Sequence, residues 1–204
     1  MGKQMRASSM NSLGVKGIIF FALLFGCGLQ IESLAQSTSQ KQQPNDKPWQ
    51  ELVSTDGRFS VLMPGTPQEQ FVPVPGQIVS SEVHLYLVTT DVATYAVLYS
   101  DLPDAAKDPD LLKTLFESGS DRLAGNGLFR MISEKDISSG KTLGREWVTE
   151  YGRAQVIKSR AFYRNERLYQ IIFAAPQIDG ISAELVKFYD GLSAKFFGSF
   201  KIKT

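Results

Sequence analysis

From Gln155 to Ala175 the chain reads Gln-Val-Ile-Lys-Ser-Arg-Ala-Phe-Tyr-Arg-Asn-Glu-Arg-Leu-Tyr-Gln-Ile-Ile-Phe-Ala-Ala. Two runs rich in β-branched and aromatic residues, Gln155–Tyr163 and Leu168–Ala174, flank a turn at Asn165-Glu166. A two-residue loop sets Phe162 across from Tyr169, Arg160 from Ile171 and Lys158 from Phe173 on one face. Tyr163, Leu168, Ile157 and Ile172 then share the other. Apolar side chains on both faces mean that both must be covered.

Outward from that hairpin, short strands separated by turn residues recur. Glu51–Ser54 and Arg58–Met63 flank Asp56-Gly57, a dipeptide suited to a tight hairpin. Pro64-Gly65-Thr66-Pro67 stops the second strand. Gln68–Val74 is extended, with Pro73 and Pro75 placing it at a sheet edge or ending it. Gln77–Thr89 puts Val79, Val83, Leu85 and Leu87 on one face, and Thr94–Ser100 puts Tyr95, Val97 and Tyr99 opposite Ala96 and Leu98. Further strands are expected at Leu128–Ile137 and Thr142–Tyr151. Asp108-Pro109-Asp110 opens a helix with an N-cap acid, and Leu111, Leu112, Leu115, Phe116 and Leu123 fall on one side of it over 109–124. Leu185, Phe188, Tyr189, Leu192, Phe196 and Phe197 mark a second helix over 182–199, in which Gly191 and Gly198 invite a break. The expected fold is α+β: an antiparallel sheet flanked by helices on both faces, an αβα sandwich.

The N-terminus reads as an export signal. Lys3, Arg6 and Lys16 precede Gly17–Leu29, an uncharged stretch of signal-peptide length and shorter than the roughly 20 residues that span a bilayer. Three outcomes stay open. Ser33-Leu34-Ala35 offers cleavage before Gln36; Leu24-Phe25-Gly26-Cys27 resembles a lipoprotein box with Cys27 as the lipidated residue; or the segment stays as an anchor. Residues 36–48 are a polar, flexible linker, with nothing apolar to offset the entropy of ordering it. The organisation is therefore a signal peptide at 1–35, the linker at 36–48 and one domain at 49–204. The expected location is the periplasm or thylakoid lumen, as a soluble protein or a lipoprotein.

Composition excludes more than it assigns. The 204 residues carry 22 Lys+Arg against 21 Asp+Glu, with one His and one Cys. There is no basic excess to neutralise phosphates, so nucleic acid is not an expected partner. Losing the signal, with Lys3, Arg6, Lys16 and Glu32, turns an excess of one base into an excess of one acid. One Cys forbids an internal disulfide and one His forbids paired-His metal motifs. No Gly-x-Ser-x-Gly elbow, phosphate loop or dinucleotide fingerprint occurs, and the single glycine of Ser118-Gly119-Ser120 cannot cradle phosphate.

A family resemblance rests on four segments: Gly57-Arg58-Phe59-Ser60-Val61-Leu62-Met63-Pro64, Gly144-Arg145-Glu146, Arg167-Leu168-Tyr169-Gln170, and Phe196-Phe197-Gly198-Ser199-Phe200. Over residues 49–203 the order resembles the PsbP-like (αβα sandwich) class of small exported bacterial and thylakoid-lumen proteins, cyanobacterial members especially. The resemblance implies a non-enzymatic fold used for binding and assembly, some members being peripheral photosystem II subunits. It carries over no catalytic residue.

Four sets of residues could carry chemistry. His84 shares a strand face with Glu82, a pair able to bind a metal or relay a proton, against the ordinary case of a half-exposed strand histidine. Asp101, Asp104, Asp108 and Asp110 offer calcium-type oxygens, without EF-hand spacing and with helix-start duties for two of them. Lys158, Arg160, Phe162, Arg164, Arg167 and Tyr169 form a basic, aromatic face suited to an acidic protein surface or anionic headgroup, or else their stems snorkel over the sheet edge. Tyr95, Tyr99, Trp147 and Tyr151 could line a pocket between sheet and helices, or pack the core. The expected function is a non-enzymatic extracytoplasmic binding or assembly protein. It would meet a protein partner, such as a membrane complex, and touch the membrane only peripherally or through a lipid anchor. No catalytic residue, metal or cofactor is expected. The alternative is an extracytoplasmic small-ligand carrier or weak enzyme using that pocket.

Overall fold

Asn165 and Glu166 both take left-handed backbone, with φ of 50° and 62°, so the central hairpin closes in a two-residue turn. The carbonyls of this turn are used: Asn165 O accepts from Arg58 Nη2 at 2.8 Å, and Glu166 O accepts the Leu102 N–H at 2.6 Å. In the computed structural model, the described residues are 48–54, 56, 58–73, 82–103, 105, 108, 110, 116, 129–152, 154–177 and 181–203. The expected signal peptide, Cys27, the expected linker before Pro48, residues 77–81, Asp104, Ser118-Gly119-Ser120 and most of the helix expected over 109–124 lie outside them.

Among the described residues, ten strands and one complete helix follow in order: β1 Trp49–Val53, β2 Phe59–Pro64, β3 Gln68–Pro73, β4 Glu82–Thr89, β5 Thr94–Asp101, β6 Phe129–Asp136, β7 Leu143–Tyr151, β8 Gln155–Arg164, β9 Arg167–Pro176, α1 Ala183–Ser199 and β10 Lys201–Ile202. Seven strands pair antiparallel in the order β3-β4-β5-β9-β8-β7-β6, and three more in the order β1-β2-β10. The β8–β9 register sets Phe162 against Tyr169, Arg160 against Ile171 and Lys158 against Phe173, as the turn chemistry predicts. Gly144 belongs where it is. A Cβ there would meet Ile137 Cγ1 and Phe162 Cδ1 at 3.0 Å, so both side chains would have to shift to admit it.

One face of the large sheet carries Tyr86, Val88, Tyr95, Val97, Tyr99, Tyr169, Ile171 and Phe173, all buried. Two layers cover it. The first is α1, which buries Phe196 and Phe197 and starts at an N-cap where Ser182 accepts the Leu185 N–H. The second is the small sheet, which inserts Phe59, Val61 and Met63 into the same cluster. Ser199 Oγ joins the two by accepting the Leu62 N–H at 2.9 Å. On the opposite face Leu98, Ala161, Tyr163, Leu168 and Trp147 pack with Ala105 and the helical residue Phe116.

The expected αβα sandwich is thereby corrected. Among the described residues the protein is mostly strand, in two antiparallel sheets with one complete helix, and a sheet shares the work assigned to a helix. Hydrophobic periodicity revealed that both faces are apolar, but periodicity does not say what covers them. Two smaller corrections follow. The helix runs unbroken through Gly191 and Gly198 to Ser199. The β1–β2 connection is longer than a two-residue loop: the Ser54 N–H reaches Phe59 O at 3.1 Å, leaving residues 55–58 between them. Among the described residues no helix is long and apolar enough to cross a membrane.

Candidate functional site

β3 is the outer strand of the large sheet and β1 an outer strand of the small one. The Gly65-Thr66-Pro67 connection from β2 sends β3 away from β1, and a cleft of about 360 Å³ opens between them. Gln50, Glu51, Leu52, Val53, Thr66, Pro67, Glu69 and Tyr86 line it. Two carboxylates face this space, and no Lys, Arg or His is among the lining residues.

Cross-strand pairing builds the wall behind the cleft. Glu69 pairs with Tyr86 and Phe71 with His84. The Tyr86 hydroxyl donates to Glu69 Oε1 at 2.8 Å. The His84 ring lies flat on Tyr99, with centroids 4.4 Å apart and planes 8° apart, and Phe71 meets its other side edge-on at 4.8 Å. Phe71 is 60 % exposed, an apolar side chain held by ring contacts yet open to water. Among the described side chains, Glu69 stands by His84, with its Oε1 3.8 Å from Nδ1. The side chain of Glu82, the partner expected from the strand period, lies outside the described residues. Among the described residues no three His, Cys, Asp or Glu side chains converge as a metal set.

Burial governs the tyrosines. The Tyr95 phenol is pushed up to about 12 by burial alone. Tyr99 is pushed higher, by burial first and then by neighbouring Tyr86 and Glu69. A raised phenol pKa contributes stability below the unfolded value near 10.0, and that contribution is lost as pH rises through the folded values. Stability should therefore decline only above about pH 10, with phenolate absorbance rising together with unfolding. Reversible ionisation of all seven tyrosines near pH 10 in the intact fold would contradict this burial.

The six residues of the basic, aromatic face do share one side of the hairpin, and that side is the one α1 and the small sheet cover. Lys158 Nζ donates to Asp190 at 2.7 Å and to Ser193 at 3.1 Å. Arg160 bonds Glu146 at 2.6 Å and lies 4.7 Å over the Phe197 ring. Arg164 donates to Thr142 Oγ1 at 3.2 Å. Phe162 packs against the core, and Tyr169 is buried. Arg167 is 5 % exposed; it grips Asp101 through Nε at 2.7 Å and Nη2 at 2.8 Å, bonds Asp56 through Nη1, and lies 4.3 Å over the Tyr99 ring.

Asp101 is thus an ion-pair partner, shared also with Arg58 at 3.0 Å. Asp108 accepts the Asp110 N–H at 3.1 Å, as a helix-start residue should. Tyr95 and Tyr99 lie on one face of the sheet, while Trp147 and Tyr151 lie on the other. Those four cannot line one pocket. The sequence reading missed Glu51, Glu69 and Phe71. Pro73 and Pro75 placed the extended Gln68–Val74 at a sheet edge or at a strand end; β3 runs Gln68–Pro73 at one end of the sheet order, across the cleft from a strand that the sequence did not point to.

No family model and no curated protein matches the chain. Among solved structures it is similar to the solution structure of cyanobacterial PsbP (CyanoP) from Synechocystis sp. PCC 6803. That match has 13 % identity and a TM-score of 0.48, and covers 83 % of this chain and 99 % of that one. A crystal structure of PA94 from Pseudomonas aeruginosa, described as a protein of unknown function and putative regulator, is similar at 8 % identity. Its TM-score is 0.38, covering 71 % of this chain and 90 % of that one.

Proposed function

We propose that this chain is a non-enzymatic binding or assembly protein, acting outside the cytoplasm near a membrane through contact with a protein partner. The observation that carries the reading is Phe71, a largely exposed aromatic fixed against His84 on a sheet edge that no other strand covers among the described residues. Large apolar side chains held rigid at a surface are the usual anchors of protein contacts. The export signal at 1–35 and the linker at 36–48 supply location and reach. Lipidation at Cys27 or cleavage after Ala35 decides whether the domain stays tethered. The cationic heads of Lys158, Arg160 and Arg167 are each already paired with a carboxylate, so the proposed contact lies at the β3 edge instead.

The test is photocross-linking in the native host, with p-benzoylphenylalanine at position 71 and, as a control, at exposed Lys201. A discrete light-dependent adduct from position 71 alone, found in the membrane fraction, is expected. Phe71→Asp should lower co-fractionation with that partner roughly tenfold or more, the loss typical of an aromatic anchor. Recovery of the protein only as a free monomer, with no adduct, would overturn the reading.

A further inference from the structure

The backbone at the cleft narrows what can bind there. In β1 the hydrogen bonds fix which residues face β2: the Gly65 N–H donates to Pro48 O at 3.0 Å, and the Ser54 N–H to Phe59 O at 3.1 Å. An antiparallel ladder alternates, so Gln50 and Leu52 also bond inward, while Trp49, Glu51 and Val53 aim N–H and C=O at the open edge. Leu62 agrees independently, since this partner of Glu51 spends its N–H on Ser199, away from β1. The same parity holds at β3. The Thr90 N–H donates to Ala93 O at 2.9 Å, which turns the odd-numbered residues of β4 toward β3. Gln68, Gln70 and Val72 therefore bond β4, and Glu69 and Phe71 aim outward.

Among the described residues, both long walls of the cleft are thus strand edges whose outward backbone groups meet no further strand. A strand satisfies such groups in repeat, which a compact small molecule does not. Charge selects among strands. Glu51 and Glu69 face the cleft without a lining cation, while Leu52, Val53 and Pro67 supply apolar surface between them. A second copy pairing antiparallel through β1 about its middle would set Glu51 against Glu51, which disfavours self-association. Resting on the reading that this edge meets a protein partner, we infer that the cleft accepts an extended segment of that partner, in which basic and apolar side chains alternate. It adds as a strand to β1, with its cations against Glu51 and Glu69.

Fluorescence anisotropy on the full chain tests this with three labelled pentapeptides: Lys-Val-Lys-Val-Lys, its backbone N-methylated form, and Glu-Val-Glu-Val-Glu. The first should bind, and the other two at least roughly tenfold more weakly, because one lacks the donors and the other repels. Glu51→Lys should weaken the first peptide by a similar factor with unchanged melting, since Glu51 is exposed. Equal binding of the N-methylated peptide, equal binding of the acidic one, or no binding by about 1 mM would overturn the inference. So would a concentration-dependent dimer that occupies the edge. An adduct at position 71 without peptide binding removes the basic strand and leaves the partner contact standing. Peptide binding without an adduct does the reverse.

Discussion

Replacing Asp56 and Asp101 together by alanine is expected to destabilise the fold by about 3–5 kcal/mol, the cost of leaving a buried charge without its partners. Arg167→Met should cost less. The asymmetry follows from exposure: the Arg167 side chain is 6 % exposed, against 27 % for Asp56 and 56 % for Asp101. If the arginine goes, both carboxylates can turn to water, and Asp101 keeps Arg58 at 3.0 Å. If the carboxylates go, the guanidinium stays between the Tyr99 ring and the hairpin with nothing to neutralise it. Burial already pulls its pKa down, which is the same desolvation seen from the proton's side. Urea midpoints for the two variants provide the measurement. A double variant less damaging than Arg167→Met would show that packing, not charge, holds this joint.

The second large effect belongs to Phe59. Phe59→Ala is expected to cost about 3–5 kcal/mol and to lower the melting temperature by about 6–20 °C. Its ring has no exposed surface and sits 5.8 Å from Tyr86, 5.8 Å from Tyr99, 6.1 Å from Tyr169 and 5.7 Å from Phe200. Those contacts join β2 to three strands of the large sheet and to the chain following α1, so the cavity would open between layers that cannot collapse together. Phe71→Ala, on the same chain stretch and also aromatic, should cost under about 1 kcal/mol because its ring is already largely in water. Calorimetry on both variants separates the fold's joint from the exposed anchor. Equal losses would mean that the exposed ring is structural after all.

The hairpin of β8 and β9 shows what can be read in the chain itself. Its register depends on a turn of two residues and a period of two, both local, and the pairing of Phe162 with Tyr169 follows from them. That β3 lies at a sheet edge or ends at proline was legible too, because proline cannot donate to a ladder. Arg167 was visible as a basic residue among aromatics, but its partners Asp56 and Asp101 lie 111 and 66 residues away. No periodicity links them. The same distance hid the small sheet, in which Lys201 pairs with Ser60.

By itself, then, the sequence determined the alternation that makes antiparallel strands and the two-sided burial of the central hairpin. These are properties of neighbouring residues, set by local sterics and by side-chain period. Only the tertiary structure decided that β1, β2 and β10 form a sheet beside α1, that the basic hairpin face lies on the side of α1 with its charges paired, and that, among the described residues, β1 and β3 leave a cleft between two strand edges. Those outcomes depend on which distant apolar surfaces meet, and each choice is a competition among burials of similar magnitude that no single segment encodes.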